Sequence, residues 1–162
     1  DAKRQAEEQR ARERAAAAAE AARKAAETEQ VKVVAARKQE ADACQVKMRD
    51  VAANGTIRFG WASADLDRAS LPTLNRLAEV AKACPNAKIE IGGHTDAEGT
   101  PERNASLSQR RAQSVVAYLA NAGLAADRMT AVGFGAAQPV APNDTAENRA
   151  KNRRIEFTVR AE

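Results

Sequence analysis

Lys88-Ile89-Glu90-Ile91-Gly92-Gly93-His94-Thr95-Asp96 is the stretch on which the fold turns. Polar and apolar side chains alternate through Lys88–Ile91, which puts both isoleucines on one face of a half-buried strand. The strand runs into two glycines and then a polar loop expected from His94 to Asn104. Beyond the loop the period changes to that of a helix over residues 106–122, with Leu107, Ala112, Val115, Val116 and Leu119 inward. Gly123 suits the left-handed position that ends such a helix.

On the N-terminal side, Ser70 is the expected cap of a helix whose apolar stripe is Leu71, Leu74, Leu77, Ala78 and Ala81, stopped by Pro85 just past Cys84. Before it, Thr56-Ile57-Arg58-Phe59 alternates as a short strand. On the C-terminal side, Met129–Phe134 reads as a strand and a crossing runs through Pro139 and Pro142. Thr145 caps a short helix, and residues 154–159 form a last strand. The order β, α, β, α, β, short α, β predicts an α+β sandwich, two main helices covering one face of a mixed four-stranded sheet.

Residues 1–43 differ in kind. They contain no Gly, Pro, Leu, Ile or aromatic residue, whereas Cys44 onward holds all eight Gly, all five Pro and all five aromatics. The expectation is a polar helical spacer over 1–43, continuing to Asn54-Gly55, and a folded domain over 44–162. Glu8 with Arg12 and Glu20 with Lys24 have the favourable acid-first spacing. Ala11, Ala15, Ala18, Ala22 and Ala25 trace a seam for helix self-association or a partner helix, interrupted at Glu29 and Lys32.

A net charge of +4 spread over both parts is small beside the concentrated basic faces of nucleic-acid binders. The aromatics, mostly at strand positions, read as core rather than a base-stacking surface, so no nucleic-acid partner is expected. No apolar run is long enough to span a bilayer, and the start at Asp1 leads to the expectation of a targeting segment or anchor upstream. Cys44 and Cys84, forty positions apart, lack the companions of a zinc site, so neither metal nor cofactor is expected. Two buried thiols and one disulfide remain open. His94 with Ser106, Ser108 and Asp96 is a weak catalytic constellation, because no nucleophile-elbow pattern surrounds either serine. An enzyme is not expected.

Gly93-His94-Thr95-Asp96, Asn104, Leu107-Ser108, Arg110-Arg111-Ala112 and Asn152-Arg153-Arg154 occur in this order. With these motifs the chain resembles the OmpA-like C-terminal domain family over about residues 44–160. The resemblance implies non-covalent binding of diaminopimelate-containing peptidoglycan by a periplasmic envelope protein. It implies that Asp96 takes the ligand's ammonium and Arg111 its carboxylate, with Thr95, Asn104 and Arg153 in support. The positions of Cys44 and Cys84 resemble a disulfide-bearing branch of that family. The departure lies at Gly60 and Trp61, where relatives usually carry an Asp after the Phe, and it touches the contacts expected of Ala62, Ser63 and Ala64.

The chemistry of such a site is intelligible. A zwitterion needs one acceptor and one donor fork, and a guanidinium meets a carboxylate in two parallel hydrogen bonds where an ammonium offers a point charge. With its helix starting near Ser106, Arg111 would stand in the second turn, close to the end that favours anions. The plainer alternatives are an internal Asp96–Arg111 ion pair that fixes the loop on the helix, and Asn104 or Ser108 as helix-end hydrogen-bonders. Arg153 and Arg154 alternate, so at most one should face the site. A structural spacer or docking protein with a vestigial site is the second function class, since the N-terminal composition is similar to that of periplasm-crossing helices.

Overall fold

Ala, Glu, Arg, Lys and Gln lose little side-chain freedom in a helix. In the computed structural model, which describes residues 1–162, they form α1 (Ala2–Asn54), ending where Asn54-Gly55 predicts. The chain divides into two compact units, Asp1–Ala36 and Arg37–Glu162. In the first unit every side chain is exposed, and its ties are surface pairs such as Arg23 with Glu27 at 3.3 Å and Lys24 with Glu20 at 3.7 Å. Glu8 and Arg12 do not close. Pairs of this kind are screened by water and contribute little.

The second unit takes the last turns of α1 into its core, burying Ala41, Cys44 and Met48 at the three-and-four spacing of one helix face. Next come α2 (Leu71–Lys82), β1 (Ala87–His94), α3 (Pro101–Asn121), β2 (Met129–Gly135), α4 (Ala146–Asn152) and β3 (Arg154–Ala161). β1 is central, parallel to β2 and antiparallel to β3, with Ile89 opposite Met129 and Val159, and Ile91 opposite Ala131 and Phe157. Leu74, Leu77 and Ala81 of α2, Ile89 and Ile91 of β1, and Val115 and Leu119 of α3 fill one core. A disulfide joins Cys44 to Cys84, with 6.3 Å between their Cα atoms. Arg128 covers the chain end of α2, donating to the carbonyls of Ala81, Cys84 and Ala87 at 2.7–3.0 Å.

The sheet has three strands, not the expected four. Thr56–Phe59 makes only an isolated bridge, Phe59 with Leu66, because other partners meet its backbone groups. Thr56 N donates to Thr73 Oγ1, and Arg58 N donates to Ser70 Oγ, which donates back to Arg58 O. Ser70, expected to cap α2, holds the N-cap position but makes no side-chain cap bond there, its hydroxyl being turned to Arg58. Both edges of the sheet are closed by glutamines instead. Gln45 of α1 donates to Phe157 O at 2.8 Å and accepts from Val159 N at 2.7 Å, and Gln109 of α3 does the same for Ala131 O and Gly133 N at 3.1 and 2.7 Å. Each amide mimics a neighbouring strand's peptide, and an edge so occupied is no template for further pairing.

α3 begins five residues before the expected Ser106. Thr100 Oγ1 accepts from Arg103 N at 3.2 Å, Pro101 takes the first helical position and Glu102 the first turn. Asn104 therefore stands inside the helix rather than capping it. Arg111 falls in the third turn, too far along for the helix end to act on an anion bound there.

Candidate functional site

Asp96 stands two residues past the end of β1, in a turn that its own side chain closes by accepting from Glu98 N at 2.9 Å through Oδ1. The remaining oxygen, Oδ2, meets Arg153 Nη1 at 2.6 Å. The backbone carbonyl of Asp96 accepts from Thr95 Oγ1 at 2.9 Å and from Asn104 Nδ2 at 3.3 Å. Thr95 and Asn104, both buried, thus fix the Asp96 turn rather than reach into solvent.

Arg111 is held from another direction. Its guanidinium lies over the Phe59 ring, 5.0 Å from the centroid, while Nε donates to Ser63 O at 2.9 Å and Nη2 to Gly60 O at 3.4 Å. No carboxylate lies within ion-pairing distance, so the Asp96–Arg111 bridge weighed from sequence is absent and Arg153 occupies that place. Burial of the guanidinium, then the neighbouring Arg153 and Arg110, push the Arg111 pKa down against the opposing pull of Asp96. Cation outweighs anion around this fork, a setting that favours an incoming carboxylate.

The Arg111 carbonyl partners belong to one turn. Ser63 N donates to Gly60 O at 3.0 Å across Trp61 and Ala62, and Ala62 has φ of 51°, the only non-glycine residue in the left-handed region. A positive φ at the third position marks a type II turn, which normally takes glycine there. Trp61, at the second position, is 96% exposed, so the expectation that all five aromatics are core fails at this residue.

Asp96, Arg111, Thr95, Asn104 and Arg153 line one open groove together with Trp61, Arg110 and Arg154. Arg154 turns to Glu156 at 2.7 Å, so Arg153 alone of the pair touches Asp96. Sequence reasoning missed Asn143. Its Oδ1 accepts from Ala97 N at 3.2 Å and from Asn152 Nδ2 at 2.9 Å, tying the Asp96 turn to the Pro-rich crossing. Asn152, fully buried, also receives Val140 N and Ala141 N, so it fixes the residue before Arg153. A contact over forty-six residues leaves no local pattern to read.

His94 is buried at the end of β1 rather than in a turn, stacked on Phe134 with centroids 4.9 Å apart. Burial, then Arg154, hold its pKa below the ordinary 6.5 against the opposing pull of Glu156, whose Oε2 is 3.5 Å from Nε2. Nδ1 is buried without a partner. Ser108 spends its hydroxyl on Ala105 O and Gly135 N, so it is not poised as a nucleophile.

The pattern of the OmpA family matches residues 58–153. The peptidoglycan-binding protein ArfA of Mycobacterium tuberculosis is 46% identical over 105 residues, covering 65% of this chain and 32% of that protein. Outer membrane porin F of Pseudomonas aeruginosa is 37% identical over 124 residues, 76% of this chain and 35% of the porin. The chain thus spans about a third of the length of these relatives. The crystal structure of the peptidoglycan-associated lipoprotein from Burkholderia pseudomallei superposes with a TM-score of 0.61 at 31% identity, covering 67% of this chain and 92% of that one.

Proposed function

This chain belongs to the OmpA family, and from that premise we propose that residues 37–162 bind peptidoglycan non-covalently and anchor a periplasmic envelope protein to the cell wall. The carrying observation is Arg111, immobilised on Phe59 and two carbonyls yet without a carboxylate partner, beside the buried Asp96. A diaminopimelate D-centre presents an ammonium and a carboxylate on one carbon. The carboxylate completes Arg111, and the ammonium shares Asp96 with Arg153. No bond is made or broken, and the site residues orient the ligand without acting as catalysts. Residues 1–36 serve as a spacer. Names of relatives that include peptidoglycan-binding, outer membrane and lipoprotein support the same assignment.

One observation favours a second reading, a docking module with a vestigial site: Asp96 already has an ion-pair partner in Arg153. Calorimetry with two stem peptides separates the two. A Lys-type peptide keeps the ammonium but lacks the carboxylate, leaving the Arg111 fork desolvated, so it should bind about ten- to a hundredfold more weakly than the diaminopimelate peptide, the worth of a charged hydrogen bond. Arg111→Lys should erase most of that difference. Similar affinities of the unmutated protein for both peptides, or none for either, would defeat the proposal.

A further inference from the structure

Trp61 is the only tryptophan in the chain, and nothing in the fold uses it. Its backbone is nevertheless fixed. The turn that carries it is closed by Ser63 N on Gly60 O, by Gly60 N on Asp65 O at 3.1 Å and by Asp65 N on Ser63 Oγ at 2.9 Å. Arg111 then clamps the carbonyls on both sides of the indole, those of Gly60 and Ser63. A large flat ring is thus displayed to water from a clamped turn that is physically joined to the proposed carboxylate fork.

We propose that Trp61 is a saccharide platform, stacking on a pyranose ring of the glycan strand from which the bound stem peptide hangs. The inference rests on the peptidoglycan reading and adds a second subsite to it. One face of a pyranose ring is a patch of C–H groups rimmed by hydroxyls, and an indole offers a matching flat apolar surface with one N–H donor at its edge. The surroundings favour that occupant over an apolar one. A protein or lipid partner needs contiguous apolar area, but the other exposed large apolar residues of the same unit are Val46 and Val140, neither of which lines this groove. Arg58 and Arg110 line the same groove as the indole, donors suited to sugar hydroxyls. Two or three linking stem residues span about 7–11 Å when extended, and the turn that carries the indole touches the Arg111 guanidinium through Gly60 O and Ser63 O.

The test compares a disaccharide-tetrapeptide with the same tetrapeptide lacking its sugars, by calorimetry and by the emission of Trp61 itself. The unmutated protein should hold the sugar-bearing ligand about threefold to tenfold more tightly, the range of one aromatic stacking contact. Its emission should shift with that ligand and not with the bare peptide. Trp61→Ala should bring the two ligands to the same affinity, and Trp61→Phe should keep part of the gap. Equal affinities in the unmutated protein, or a gap that survives Trp61→Ala, overturn the platform and leave the peptide site standing. Absence of binding to both ligands overturns the peptidoglycan reading and the platform with it.

Discussion

Gly93→Ala should damage this protein more than any single methyl placed on its surface, because β1 and α3 touch there backbone to backbone. A Cβ on Gly93 would lie 2.9 Å from the carbonyl carbon of Ser108, 3.2 Å from its Cα, and closer still to its oxygen. Carbon atoms rest at about 3.5–4.0 Å, so α3 must move by roughly 0.6–1.1 Å to relieve the carbon contact alone. The obstacle is helix backbone and cannot swing aside. Such a shift stretches the Ser108 Oγ bond to Gly135 N, now 2.9 Å, and the Gln109 bond to Gly133 N, now 2.7 Å. Overpacking costs about 1–3 kcal/mol and each of the two weakened hydrogen bonds about 0.5–1.5, for a loss of roughly 2–6 kcal/mol. For a unit of this size that lowers the thermal midpoint by roughly 8–23 °C. Gly92→Ala is the control. Its Cβ meets the Phe134 ring edge at 2.8 Å, the far end of a side chain that can tilt, and it should cost much less. Circular dichroism melts of the three proteins decide the matter: a Gly93→Ala midpoint within about 3 °C of the unmutated protein would refute the close-packing argument. Because β1 leads into Asp96 and α3 carries Arg111, the same variant should weaken peptide binding even at temperatures where it is folded.

Reduction of Cys44–Cys84 opens a loop of sequence separation 40, which in the chain-entropy account removes about 4 kcal/mol, or roughly 15 °C of midpoint; melts with and without reductant check it, and an unchanged midpoint contradicts it. His94 has a folded pKa below its unfolded one, so the unfolded chain binds the extra proton first, and stability should fall as pH drops below about 6.5. Urea midpoints from pH 8 to 5 should show that slope, and His94→Gln should flatten it. Deleting residues 1–36 should leave a folded unit with undiminished peptide affinity, since none of those side chains is buried; calorimetry on the shortened chain would show a loss if the segment belonged to the core.

Much of the architecture was legible because its signals are local. Alternation at Ile89 and Ile91, the stripes of Leu74, Leu77 and Ala81 and of Ala112, Val115 and Leu119, the stop at Asn54-Gly55 and the Thr145 cap all act within one or two turns of chain. The start of α3 was legible too, in Thr100-Pro101-Glu102, but the polar run from Asp96 to Ser106 disguised a capped helix as loop. Tertiary structure alone decided the rest. Thr56–Phe59 has a strand's pattern, yet hydroxyls from Ser70 and Thr73 meet its backbone groups before a ladder forms. Glutamines at 45 and 109 close sheet edges that sequence would have left to further strands. The choice of Arg153 rather than Arg111 as partner of Asp96 spans 57 residues, and Trp61 is exposed because Arg111 and Phe59 hold its turn outward. Helices and strands answer to periodic patterns of neighbours along the chain, whereas an ion pair or a displayed ring depends on which distant groups the fold brings within a few ångströms.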